Sequence, residues 1–261
     1  MEHNKIQTDT LLNGNLLLQN KSFFMYGIDA VLLSAFTLGI TGKNKRNLSV
    51  KDTLIDLGTG NGIIPLLIQS KKKQICRKIT GLEIQRGLSL LAQQSVELNN
   101  ISNIEIINGD IKTINEMFPK HSFNIVTANP PYMKNNNSKK NNIEEKAIAR
   151  HEILCCLEDI IKAADYLLTP TGKFFMIHRA ERFSEILSVL FKYALEPKII
   201  QFIHPYEGKE ATMVLIEAGK QTGSQTKILS PVFVYDKILR KNDNNRIYSS
   251  QVLDIYNFFK Q

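Results

Sequence analysis

Residues 53–69 constrain the fold more than any other stretch of this chain. Thr53-Leu54-Ile55-Asp56-Leu57 is an apolar run of strand length, the pattern of a strand buried on both faces of a parallel sheet. Glycines follow at alternate positions, Gly58, Gly60 and Gly62, and the apolar residues 63–69 then read as a helix. The same alternation recurs downstream. Residues 78–82, 104–107, 123–128 and 173–178 read as strands, with helical segments at 86–99, 146–168 and 181–193. Segments 199–204 and 211–218 read as a final strand pair, joined by the turn Tyr206-Glu207-Gly208-Lys209. The expectation is an α/β chain with helices on both faces of a mostly parallel, Rossmann-like sheet.

Strand, glycine loop and helix start together form a cofactor cradle. Glycines let the backbone approach a ligand closely, and the free amides of a helix start favour a carboxylate or phosphate. Glu83 ends the next strand, 21 residues beyond Gly62, the position of an acid that accepts from ribose hydroxyls. A dinucleotide fold wants glycine or alanine three places after its second glycine, and here position 63 is Ile. The closer spacing Gly58-x-Gly60-x-Gly62 after Asp56 suits a nucleoside with an amino-acid tail, S-adenosylmethionine. Asp110, at the end of the third strand, is placed to reach its adenine amino group.

The second corner is Asn129-Pro130-Pro131-Tyr132, directly after the apolar run 123–128. A following proline pushes Asn129 out of the helical region, and the second proline stiffens the exit. The amide is thus held at the carboxyl end of a strand, where open α/β sheets bind ligands. The Asn129 amide oxygen and the Pro130 carbonyl form a pair of acceptors suited to a planar amino group, with Tyr132 as a flat face to stack on it. Asn129 also borders the cofactor cradle.

The chain has 261 residues and a formal net charge of +8, a balance that favours a polyanionic partner such as nucleic acid. Its basic residues cluster at 71–73 with 77–78, at 134, 139 and 140, and at 240, 241 and 246. Three cysteines, Cys76, Cys155 and Cys156, match neither a disulfide framework nor a zinc pattern, so no metal is expected. The longest apolar runs are shorter than a membrane span needs, and the first residues do not read as a signal peptide. A cytoplasmic, monomeric protein is expected. Residues 1–50 read as an extension: a polar lead-in over 1–10, a hairpin turning at Asn13-Gly14-Asn15, and an apolar helix from residue 30 capped by Asp29. Residues 51–220 hold the cofactor-binding domain. Residues 221–261 form an appendage with a short strand, a basic loop and an aromatic helix. The Asn- and Lys-rich stretch 135–142 reads as a loop over the substrate, and His151 as a polar helix-face residue.

The series Asp56-x-Gly58-x-Gly60-x-Gly62, Glu83, Asp110 and Asn129-Pro130-Pro131-Tyr132 resembles the class I S-adenosylmethionine-dependent methyltransferases, in the branch that methylates amino groups. The resemblance implies a seven-stranded sheet with one antiparallel strand. It also implies cofactor contacts at Asp56, Gly58, Gly60, Gly62, Glu83, Asp110 and Asn129, and methyl transfer at Asn129, Pro130 and Tyr132. A narrower likeness runs through Tyr26-Gly27-Ile28-Asp29-Ala30-Val31-Leu32-Leu33, Ala147-Ile148-Ala149-Arg150-His151-Glu152, and Arg246-Ile247-Tyr248-Ser249 ahead of Ile255-Tyr256. These look like the bacterial tRNA(Val) adenine-N6 methyltransferases that modify adenosine 37, which implies tRNA as the substrate. The stretch 135–142 departs from that pattern. The corner itself fits adenine N6, guanine N2 or a protein glutamine, and an RNA-binding protein on the same fold is the non-enzyme alternative.

Overall fold

The computed structural model describes residues 6–20, 27–41, 48–69, 75–130, 155–220, 223, 225–236 and 247–260. Strand β3 (Thr53–Leu57) is buried at every position. It lies between β4 (Lys78–Glu83) and β6 (Phe123–Ala128), both parallel to it. β5 (Ile104–Asn108) continues the sheet beyond β4, and β7 (Leu168–Arg179) beyond β6. β9 (Met213–Gly219) runs antiparallel between β7 and β8 (Glu196–His204). These are the seven strands expected, with β9 as the antiparallel one. Two short strands, β10 (Lys227–Ile228) and β11 (Val232–Phe233), pair in parallel with β8 and bring the sheet to nine. Two-residue strands carry no periodicity to read. They form because β8 would otherwise leave an edge of unpaired backbone groups.

Alternation along the strands feeds two cores. In β7, Phe175 and Ile177 face one side while Phe174 and Met176 face the other. The first side is covered by α1 (Ile28–Thr37), α2 (Ile63–Ile68), α3 (Arg86–Leu98) and α7 (Ser250–Lys260). The second is covered by α4 (Ile114–Met117), α5 (Leu157–Leu167) and α6 (Phe183–Lys192). In α5 the buried Leu157, Ile160, Ile161, Ala164 and Leu167 recur at helical spacing and make one apolar stripe. In contrast, α1 is buried from Ala30 to Thr37, and Phe36 meets Phe175 edge-on at 6.0 Å.

The amino-terminal segment differs from the expectation in two respects. Residues 6–10 are no lead-in: β1 (Ile6–Thr10) pairs antiparallel with β2 (Leu16–Asn20) around the Asn13-Gly14-Asn15 turn. Its five residues are too polar to announce a strand, but β2 supplies the partner. Asp29 lies inside the first turn of α1, and Gly27 takes the cap position. The hairpin is fastened through asparagines. Asn13 and Asn15 each donate to the Leu66 carbonyl at 2.7 Å, at the end of α2. Asn99 accepts from the Leu16 N–H at 2.7 Å and donates to its carbonyl at 2.6 Å, as a neighbouring strand would. At the other end of the chain, Val252, Ile255 and Phe259 of α7 enter the same core as Leu11 and Leu17.

Candidate active site at the carboxyl edge of the sheet

Parallel register brings the predicted residues to one edge. Asp56 stands opposite Gly81 and Thr127, Leu57 opposite Leu82 and Ala128, and Glu83 opposite Asn108. Gly58 and Asn129 therefore leave the sheet beside one another, and Asp110 leaves the same edge two strands beyond Gly58. The chain crosses from β3 to β4 on one side and returns to β6 on the other. A crevice opens at such a reversal of strand order, at the carboxyl ends of the strands.

The glycine loop is shaped by its backbone. Gly58 and Thr59 both donate to the Leu82 carbonyl, at 2.9 and 3.0 Å. Gly58 and Gly60 adopt φ of 70° and 60°, which side chains rarely tolerate. A Cβ at either would meet nothing within 4 Å, so open space borders the loop there. Gly62 differs: a Cβ there would lie 3.2 Å from that of Ala92, so this glycine lets the start of α2 pack on α3.

Asp56 is fully buried, and among the described residues no cation contributes to its surroundings. Its Oδ1 accepts from the Thr127 hydroxyl at 2.7 Å, while Oδ2 and the nearby Thr59 hydroxyl lack formed hydrogen bonds. Burial pushes its pKa up to about 7, against the pull of Thr127 and Thr59. A buried carboxylate oxygen without a formed hydrogen bond is costly, and a cationic ligand group would satisfy it.

Glu83, also buried, is already tied to the loop. Its Oε2 accepts from the Gly60 N–H at 2.9 Å and its Oε1 from the Gln85 N–H at 2.8 Å. Each carboxylate oxygen carries a second lone pair, so Glu83 can brace the loop and still accept from a ligand hydroxyl. Asn108 fastens the turn beyond it by donating to the Glu83 carbonyl at 2.7 Å. Asp110 is half-buried and accepts from the Lys112 N–H at 2.9 Å, capping a short turn. Its second oxygen remains as an acceptor on this edge.

Asn129 is half-buried and Pro130 buried, one and two residues past the end of β6. Pro131 and Tyr132 lie outside the described residues, as do the 135–142 stretch and His151. Beside this corner, His178 near the end of β7 is buried, and burial with Arg182 nearby pushes its pKa down to about 4. Its ring is therefore neutral at physiological pH, with Nδ1 accepting from the Arg179 N–H at 2.8 Å.

Sequence reasoning missed Thr127, Thr59, Gln85 and Asn108. Thr59 and Gln85 adjoin residues that were singled out, which was the available signal. Thr127 had none, because its role depends on strand register.

Among the described residues no group of three or more His, Cys, Asp or Glu side chains could hold a metal ion. Nor is any helix there long and apolar enough to cross a membrane.

Residues 43–197, more than half of the chain, match the methyltransferase small domain family. A tRNA1(Val) (adenine(37)-N6)-methyltransferase from Trichodesmium erythraeum is 27% identical over 63% of this chain and 64% of its own length. One from Pseudoalteromonas translucida is 32% identical over 57% of each. The chain thus spans less than two thirds of the length of either relative. Among solved structures, a predicted O-methyltransferase from Agrobacterium tumefaciens superposes with a TM-score of 0.64, covering 89% of this chain and 96% of that one at 20% identity. That likeness shows a shared fold.

Proposed function

The chain belongs to the methyltransferase small domain family, and from that premise we propose that it methylates an exocyclic amino group in RNA with S-adenosylmethionine. The favoured target is adenine N6 in tRNA, at adenosine 37 of tRNA(Val). One observation carries the reading: strand register sets Asn129 beside the open glycine loop and the orphaned carboxylate of Asp56. The names of the curated relatives support the choice of adenine and of tRNA.

The residues present fit the cofactor. The open backbone at Gly58 and Gly60 leaves room for its tail, and the Asp56 oxygen suits its ammonium. Glu83 would accept from the ribose hydroxyls and Asp110 from the adenine amino group, with Asn129 bordering the cradle. Gly62 contributes by holding the loop against α3. When bound, S-adenosylmethionine supplies an electrophilic methyl group on its sulfonium.

The protein's task is to make a poor nucleophile reactive. The lone pair of an exocyclic amine is delocalised into the ring. Accepting its two hydrogens at the Asn129 amide oxygen and the Pro130 carbonyl shifts density to nitrogen and aims it. The target base leaves its stack to reach the corner, and Tyr132 provides a replacement stacking face. The methylated nitrogen is a strong acid and loses its proton to water, so no resident base is needed.

The test is transfer of labelled methyl to tRNA(Val) transcripts, followed by mass spectrometry of the nucleosides. N6-methyladenosine is expected, and a transcript with guanosine at position 37 should accept nothing. Methylation of guanine N2 instead, or of a glutamine peptide in a parallel assay, would replace the proposed substrate. No transfer to any of the three would overturn the enzyme reading.

A further inference from the structure

Far along the same edge, the chain assembles three tyrosines that the methyl-transfer site does not use. β8 runs parallel to β6 and β7, because β9 is antiparallel to both β7 and β8. β11 is parallel to β8, with Phe233 opposite His204. Residues following Phe233 therefore emerge at the carboxyl edge, as Asn129 does. There Tyr235 donates its N–H to the Pro205 carbonyl at 2.9 Å and forms an antiparallel bridge with Tyr248. The two rings stack with centroids 5.5 Å apart and planes 9° apart. Tyr256 of α7 adds a third ring, 5.3 Å from Tyr248, and His204 stands 5.6 Å from Phe233 at the base of the group.

Val232, Val234, Val252, Ile255 and Phe259 are buried and form an apolar layer beneath these rings. All three tyrosines pack against that layer, half-buried. Four strand spacings separate β6 from β11, about 19 Å at ~4.8 Å each. A stacked strand of roughly five or six nucleotides covers that distance.

Building on the RNA reading above, we infer that Tyr235, Tyr248 and Tyr256 form a stacking platform for unpaired RNA bases, several nucleotides from the one that is methylated. Aromatic faces bind bases without regard to sequence, so the platform would supply affinity and register while the Asn129 corner chooses the atom. Described charges near it do not favour phosphate: Lys209 is flanked by Glu207 and Glu210, and Asp236 follows Tyr235. In sequence, however, the connection between the paired tyrosines carries Lys237, Arg240, Lys241 and Arg246 against Asp236 and Asp243. That excess matches a polyanion, in a chain whose net charge is +8.

The chain has no tryptophan, so Tyr248→Trp installs a single fluorescent reporter in the platform. The expected result is quenching by tRNA(Val) and none by S-adenosylmethionine. In methylation assays, Tyr248→Leu and Tyr256→Leu keep apolar volume but lose the flat ring. Each should raise KM for tRNA about tenfold with kcat, cofactor affinity and melting temperature nearly unchanged, and Tyr248→Phe should restore KM. Unquenched Tyr248→Trp, or leucine variants with wild-type KM, would overturn the platform even if the wild-type protein methylates tRNA. Quenching without any methyl transfer would leave the platform standing and defeat the proposed reaction.

Discussion

At the amino edge of the sheet, Lys220 donates to the Asp165 and Leu168 carbonyls at 2.6 and 3.1 Å and pairs with the Asp165 carboxylate at 3.2 Å. Asn124 there accepts from the Thr53 N–H at 3.0 Å, and Asn103 donates to the Cys76 carbonyl at 2.9 Å. Among the described residues the hydroxyls of Ser122 and Thr169 lack formed hydrogen bonds there, a small cost beside that of a carboxylate, and the buried Glu217 carboxylate is paired with Lys173 at 3.1 Å. At the carboxyl edge, Asp56 is buried with one oxygen unsatisfied and two glycines open onto empty space. One edge uses its polar side chains to close loops. The other keeps polar groups poised at a cost in stability, the usual mark of a site that a ligand completes.

Mutation can break this contrast. The largest effect is expected at Asn129. Asn129→Ala should lower kcat by about 10²–10³-fold, the usual cost of losing one preorganised polar contact, with the melting temperature nearly unchanged. Single-turnover transfer alongside thermal melts checks this. A folded variant with wild-type turnover would make the corner a mere chain reversal.

Next comes the pH response of the ligand-free protein. Asp56 holds its proton more tightly when folded, with a pKa of about 7 against an ordinary 3.8. The folded state then binds more protons than the unfolded one between those values, so stability falls as pH rises from about 4 to 7. The ceiling of this effect is about 4 kcal/mol, at 1.36 kcal/mol per unit. Asp56→Asn keeps an acceptor for Thr127 and removes the titration. Its melting temperature should vary less with pH and exceed that of the wild type above pH 7, whereas its affinity for S-adenosylmethionine should drop. An unchanged pH slope would show that Asp56 costs the fold nothing.

At the amino edge the signs reverse. Lys220→Met should destabilise by roughly 1.5–3 kcal/mol, since a largely buried cation leaves carbonyls unpaired, and kcat per folded molecule should hold. Denaturant midpoints with activity normalised to folded protein would show it. A loss of kcat without loss of stability would erase the distinction between the two edges.

The alternation of apolar runs with helical segments determined the α/β class. Alternate glycines after Asp56, the acid ending the next strand, and Asn129 before paired prolines marked the candidate site, because each shows through its own backbone or charge in a single residue. Other features needed a partner brought from elsewhere in the chain. The polar segment 6–10 becomes a strand only against β2, and β10 and β11 only against the edge of β8. Thr127 meets Asp56 because parallel pairing puts them level, 71 residues apart. The stacking of Tyr235 on Tyr248 likewise follows from a bridge between distant residues. Local preferences are written along the chain and can be read there. Register, burial and the raised pKa of Asp56 are properties of pairs and surroundings, and they exist only once the sheet has closed.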